Sequence, residues 1–551
     1  MKRVLRTPCL IFFLWCSFTA FAQNSGPASN NIEINTAWLW RQAVGGAVIG
    51  RPTVQAQSVV VALDGGSVKA YSASGRPLWT FSARGRISPH ITRSREGTSY
   101  ICRTNGVFIA VSRIGKELWR VNAGSALSGP AVVGWDGRVF VPTARKIACY
   151  TASGNLLWAR ELAAAHSAGP WLDQSGGVLL ALENGEALQV DPYGAAAALK
   201  LASGVRILLS SGSLVMAMYR NGDVQLIDPS LPEPLNMSRL PSPPLAAASR
   251  GNAVAAALAN GKVVLMSPNG KVQWSADTHI RQESDAAVLF DERGIYVLSA
   301  SGVSAFNADG RRLWFTTLKN ASGIPAFDDN GVLYSGGTDW ILYTWKLEER
   351  AARQNLTLYG PASPGVYGKG IYPPIAYTGY YEEAQVRSKL QAIQKEILAG
   401  RTGENEREWL AYLMNIAESG ERLGMFSISM RITALQLLSR IGSSETMPWL
   451  ARLFRTEQEP LVKAAAARAI GDIGLDPNGT AIQELLDVAI EGNIHDERVL
   501  AAVAAAAGSL CRFSGPPLFD SGARLLVLLS HPDRPQSVRR QARSELEKLM
   551  E

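Results

Sequence analysis

Cysteine is scarce in this chain, with five in 551 residues, and Cys9 and Cys16 fall at its very start. The other three, Cys102, Cys149 and Cys511, are scattered, with no CxxC and no adjacent pair. A disulfide framework is thereby excluded, and buried small hydrophobes are the expected role. Histidine is equally sparse: His90, His166, His279, His495 and His531 stand far apart, with no HExxH and no Cys/His spacing, so no metal site is expected. There is no GxSxG, no P-loop and no GxGxxG in a strand–helix–strand setting. The net charge of +8 comes without a dense Lys/Arg block interleaved with aromatics, so no nucleic-acid partner is expected. Long apolar runs are missing too. The run Leu10–Phe21 covers 12 residues, whereas a membrane-spanning helix needs about 20.

That short run does have a use. Lys2, Arg3 and Arg6 precede it, and Ala20-Phe21-Ala22 follows with small residues where a signal peptidase reads. Residues 1–22 are expected to be a signal peptide, cleaved before Gln23, which places the mature chain in the periplasm or outside the cell. The bulky Trp15 before Cys16 argues against a lipid anchor on that cysteine. A chain of 551 residues exceeds what one core usually serves, about 250–300 residues, so at least two parts are expected.

What is abundant is a repeat. Ser74-Gly75-Arg76-Pro77-Leu78-Trp79 returns as Gly115-Lys116-Glu117-Leu118-Trp119, Gly154-Asn155-Leu156-Leu157-Trp158, Gly270-Lys271-Val272-Gln273-Trp274 and Gly310-Arg311-Arg312-Leu313-Trp314. The Trp-to-Trp steps are 40, 39 and 40 residues, and Trp40 lies 39 before Trp79. Between Trp158 and Trp274 the tag decays into Asp191-Pro192-Tyr193-Gly194 and Ile227-Asp228-Pro229. Counting both gives eight marks. Prolines open strands at Pro52, Pro89, Pro130, Pro170 and Pro325, where no ladder donor is lost. Asn105-Gly106, Asn184-Gly185, Asn221-Gly222 and Asn260-Gly261 predict type I′ hairpins. Each period therefore holds about four short strands, the signature of a radial array. Trp40 has no hairpin before it and the last hairpin has no tag after it, so the N-terminal strand is expected to complete the last blade.

These marks resemble the eight-bladed propellers of the pyrroloquinoline-quinone-like repeat class over residues 36–347. That class includes quinoprotein alcohol dehydrogenases and the propeller lipoprotein of the outer-membrane β-barrel assembly machinery. The series Trp40, Trp79, Trp119, Trp158, Trp274 and Trp314 is expected to be structural, one ring per blade filling the wedge between blades.

Residues 348–380 interleave Pro, Gly and Tyr and predict a linker or surface strap. From 381 to 551 the period becomes helical. Met430 to Gly442 is echoed by Leu461 to Gly474, then by Val499 to Leu510 and Val538 to Leu549. Small-residue helices paired with apolar ones resemble HEAT repeats, an α-solenoid. The expected fold is multidomain: an all-β eight-bladed propeller followed by an all-α HEAT-like solenoid.

Chemistry is hard to find in either part. The resemblance implies, for a quinoprotein dehydrogenase, adjacent cysteines, a metal-binding carboxylate and amide set, and long insertions, and none is present. No catalytic, cofactor-binding or metal-binding residue is assigned. The turns Trp135-Asp136-Gly137, Asp173-Gln174-Ser175-Gly176 and Asp328-Asp329-Asn330-Gly331 are expected to be plain blade turns. Arg84, Arg86, Arg93 and Arg95 place basic charge near one rim. The expected function is a non-catalytic exported scaffold binding other envelope proteins, in outer-membrane protein assembly by resemblance of the propeller. The alternatives are a quinone-dependent periplasmic dehydrogenase and a propeller that senses a small ligand in its channel.

Overall fold

Strands of two to eight residues, separated by glycine turns, cannot each bury a face alone. In the computed structural model they stack radially. The structure describes residues 36–347 and 383–550, apart from 56–57, 135, 174–175, 212–213, 230, 232–233, 251–252, 282–285, 291–293, 319–322, 329–331, 338, 419–426, 493 and 516–517. The expected signal peptide and the 348–380 stretch lie outside the described residues.

Eight four-stranded antiparallel sheets are present. Blades 1 to 7 span residues 48–82, 92–122, 132–161, 166–200, 205–239, 244–277 and 287–317. Blade 8 takes three strands from residues 326–347, and Thr36–Ala43 supplies its outermost one. There Ala43 pairs with Ile341 and Trp40 with Thr344. The Thr344 hydroxyl also donates to the Trp40 carbonyl and accepts from the Trp40 amide at 3.0 Å. The first strand thus closes the ring, as the unmatched tag predicted, and no blade edge is left for want of a partner at the join.

Within each blade the chain runs from an inner strand A to an outer strand D. The antiparallel meander puts the A–B and C–D turns on one face of the ring, and the B–C turns and D–A loops on the other. Apolar clusters lie between neighbouring blades, for example Val60, Val68, Ile101 and Ile109 between blades 1 and 2, or Met216, Leu226, Val254 and Val264 between blades 5 and 6.

The tag has a direct physical explanation. Each tag Trp sits on a D strand, and the indole N–H of Trp40, Trp79, Trp119, Trp158 and Trp274 reaches the C–D turn of the next blade. Trp40 Nε1 donates to the Ala73 carbonyl at 2.8 Å, Trp79 to Arg113 at 2.7 Å, Trp119 to Ala152 at 2.7 Å and Trp274 to Ala308 at 2.8 Å. The next tag's glycine lies on the ring. A Cβ at Gly115 would stand 2.7 Å from Trp79, and Gly115 has φ of 86°, so the position excludes a side chain twice over. Ser238 occupies the ring's place in degenerate blade 5, donating to the Gly270 carbonyl at 3.0 Å.

The Asn-Gly turns differ from expectation. Gly106, Gly185, Gly222 and Gly261 have positive φ, but the preceding asparagines do not. The turns are therefore not type I′. The Asn side chain instead accepts from the amide two residues on, as Asn184 does from Glu186 at 3.1 Å. This local bond holds the asparagine at negative φ and leaves the left-handed residue to glycine alone.

Nine α-helices are described from Glu383 to Met550. From Ile428–Ile441 onward they stack in two layers: Ile428–Ile441, Pro460–Ile473, Glu497–Phe513 and Gln536–Met550 pack in succession in one, and Met447–Thr456, Thr480–Glu491 and Leu518–Leu529 in the other. The last described helix, Gln536–Met550, buries Val538, Ala542 and Glu545 and turns Arg540, Arg543 and Glu547 outward. Gly442 and Gly474 take left-handed φ after two of the first helices.

Candidate interaction surface and the junction between the two parts

The helices do not hang free of the ring. One apolar cluster joins Phe140, Ile147, Leu157 and Trp158 of blade 3 and Val178 and Leu180 of blade 4 to helix residues Val386, Leu390, Leu410 and Leu438. The turns within each helical repeat stand on the A–B and C–D turns of blades 2 to 4. A Cβ at Gly400 would meet Leu156, and one at Gly442 would meet Thr151. The Thr402 amide donates to the Leu157 carbonyl at 3.0 Å, and the Ser444 hydroxyl to the Asp136 carbonyl at 3.0 Å. Further along, Arg113 stacks on Phe519 at 4.1 Å.

At the centre is a buried charge cluster. Arg138, one residue past the A–B turn of blade 3, donates Nη1 and Nη2 to the two Glu406 oxygens at 2.9 and 2.6 Å. Its Nε meets Asp136 at 2.6 Å, and its Nη1 also reaches the Pro192 carbonyl at 2.9 Å. Glu406 begins the helix Glu406–Glu418, where the helix dipole favours an anion. Burial works against the Arg138 charge, yet Glu406 and Asp136 outweigh it and hold the guanidinium more basic than usual. Burial pushes the Glu406 carboxyl up, and Arg138 opposes that push. Two donations from one guanidinium make this an ionised, fork-to-fork pair.

Tyr193 lies between two cations, with Arg138 at 5.0 Å and Arg407 at 4.7 Å from its ring. Arg407 Nε also donates to the Tyr193 hydroxyl at 3.0 Å. The decayed tag Asp191-Pro192-Tyr193-Gly194 is thus part of the seat of the helical part. Trp158 is covered there and only 5% exposed, and its indole donates to Pro192 at 3.0 Å.

The basic residues grouped by the sequence are split by the structure. Arg84 and Arg86 lie in the D–A loop after blade 1. Arg93 and Arg95 lie at the A–B turn of blade 2, on the opposite face. Arg93 ties blade 2 to blade 1, donating to the carbonyls of Gln55 at 3.3 Å and Ser58 at 3.2 Å. Arg51 and Arg93, with Leu289 and Phe327, line a cavity of about 220 Å³ between the inner strands of blades 1, 2, 7 and 8. Nothing in the residue pattern marks the junction. Asp136 and Tyr193 stand in ordinary blade turns, and Glu406 resembles any first-turn acid.

Cys102, Cys149 and Cys511 are buried and unpaired. Burial raises the thiol of Cys102 to about 11 and that of Cys511 to about 12, so neither is a ready nucleophile. Among the described residues no group of His, Cys, Asp and Glu could hold a metal ion, and no helix is long and apolar enough to cross a membrane.

A family model described as outer membrane protein assembly factor BamB matches residues 35–102 and 103–349, more than half of the chain. The chain belongs to the BamB family. A HEAT-repeat model matches residues 420–507. The outer membrane protein assembly factor BamB of Bordetella pertussis (strain Tohama I) is 27% identical over 293 residues, covering 51% of this chain and 68% of that protein. The crystal structure of BamB from Moraxella catarrhalis matches at a TM-score of 0.45 and 18% identity, over 57% of this chain and 98% of that one. Sqt1 of Saccharomyces cerevisiae matches at 0.48 and 9%, over 57% and 99%. The BamB resemblance covers the propeller and leaves the helical part outside it.

Proposed function

We propose that this protein is a non-catalytic scaffold of the cell envelope. In this reading it is exported after cleavage near Ala22 and holds other envelope proteins during outer-membrane protein assembly. Membership of the BamB family carries the reading, together with where the helical part sits. It stands on the A–B and C–D turns of blades 2 to 4, so the opposite face, made of B–C turns and D–A loops, remains for a partner. The solenoid adds a second broad surface, as such stacks do.

Photo-crosslinking in intact cells tests this. A crosslinking residue is placed at Asn105, Asn221 or Asn260 on the open face, or at Arg452 on the solenoid. Recurrent adducts with outer-membrane assembly proteins from either surface are expected. Adducts absent at every position, or equal to those of an unrelated exported propeller, would overturn the scaffold reading. Titration with pyrroloquinoline quinone and calcium is expected to give no saturable binding, and tight binding would return the dehydrogenase to first place.

A further inference from the structure

Every described non-glycine residue with positive φ lies on the open face: Arg84 at 54°, His279 at 56° and Trp340 at 65°. Arg84 and His279 each stand two residues beyond a D strand. Glycine fills that turn position after blade 2, where Gly124 has φ of 90°. An arginine there keeps a backbone strain that glycine would relieve. Residues kept at such a cost are candidates for contact with something outside the chain.

The neighbours of Arg84 sharpen this. Arg84 and Arg86 are exposed and flank Gly85. The Arg103 guanidinium lies flat on Gly85, so that a Cβ there would stand 2.7 Å from Nη2. Ile87 bridges to Arg103, and the Thr104 amide donates to the Arg86 carbonyl at 3.0 Å. Arg103 Nε is buried and has no hydrogen-bond acceptor. Among the described residues none of the three arginines is in an ion pair. Glu117, which feels Arg84 weakly, is paired with Arg120. On the same face, in the B–C turn of blade 8, Trp340 is 57% exposed and its carbonyl accepts from Val44 at 2.8 Å.

We infer that this patch, Arg84, Arg86 and Arg103 with Trp340 on the same face, docks an acidic segment of a partner protein that carries an apolar residue. The proposal rests on the scaffold reading and gives it a location and a chemistry. The Arg103 guanidinium, held against Gly85, and the exposed Arg84 and Arg86 present planar forks to carboxylates. Arg and Trp are also the side chains that most often anchor interfaces.

The test uses the full mature chain. Its probes are a fluorescent peptide of alternating glutamate and valine, the same peptide with glutamine, and phosphatidylglycerol vesicles. The glutamate peptide is expected to bind, more tightly at low salt, and the glutamine peptide not to bind. The Arg84→Gly/Arg86→Gln double variant should weaken binding about tenfold while its melting temperature holds or rises. A structural role for Arg84 would instead lower the melting temperature. Trp340→Ala should weaken binding without changing its salt dependence. Equal binding of both peptides, no effect of the double variant, or binding to vesicles alone would each overturn the proposal. The crosslinker at Asn105 separates the two readings. Adducts undiminished in the double variant leave the scaffold standing and remove this patch; no adducts from any position remove the scaffold itself.

Discussion

Arg138 and Glu406 are 268 residues apart in sequence and form a two-pronged ion pair at 2.6 and 2.9 Å. Arg138 is 5% exposed and Glu406 is fully buried. Neither charge could be left there alone. Their pairing therefore fixes which helix start meets which blade turn, and makes the propeller and helices cooperative across the join.

Removing one partner should be costly. Glu406→Gln is expected to destabilise the junction by about 3 kcal/mol, because Arg138 stays buried with only Asp136 as counter-charge. Differential scanning calorimetry should show the helical part melting earlier while the propeller transition holds. The Arg138→Met/Glu406→Leu double variant should recover most of the loss. Equal damage from both variants would mean that the pair does not hold the join.

The tag glycine and the tag tryptophan should fail differently. Gly115→Ala puts a methyl into the Trp79 ring at a left-handed φ, and a loss of about 2 kcal/mol or more is expected. Trp79→Phe keeps most of the packing and removes the bond to the Arg113 carbonyl, for a loss of about 1–2 kcal/mol. Urea denaturation of the two variants checks the order.

Ring closure rests on the first strand. A chain beginning at Val44 loses the partner of strand Ile341–Leu347 and exposes that edge. Oligomers in size-exclusion chromatography, and faster amide exchange over residues 341–347, are expected. A monomeric product with unchanged exchange would show that blade 8 closes without it.

Asp496 gives a pH-dependent contribution. Its bonds with Arg498 and with the first amides of helix Glu497–Phe513 lower its carboxyl to about 2. The folded-state value lies below the ordinary one, so this stabilisation is complete above about pH 4 and is lost as the pH falls through 2. Asp496→Ala should cost about 1 kcal/mol at neutral pH, with the difference from the parent shrinking in urea melts taken towards pH 2.

Most of the architecture was legible because it is local and repeated. The tag combines a glycine that must be left-handed with a tryptophan that must reach the following turn, and eight occurrences at a fixed period, two of them degraded, leave few folds to consider. The Ala-rich helices with glycine at their ends were legible for the same reason. Turn type was misread at the Asn-Gly pairs, since the side-chain bond that holds each asparagine at negative φ depends on the residue two places on. The four basic residues were read as one rim because sequence proximity hides which end of a strand each occupies.

By itself the sequence determined the eight blades, the closure by the first strand and the helical stack, since each follows from periods of two, of about forty, and of helical turns. Only the tertiary structure decided which blades carry the helices and which face stays open. Those depend on one buried charge pair and on contacts such as Gly400 with Leu156 and Gly442 with Thr151. Single contacts between residues hundreds of positions apart leave no periodic trace in the chain.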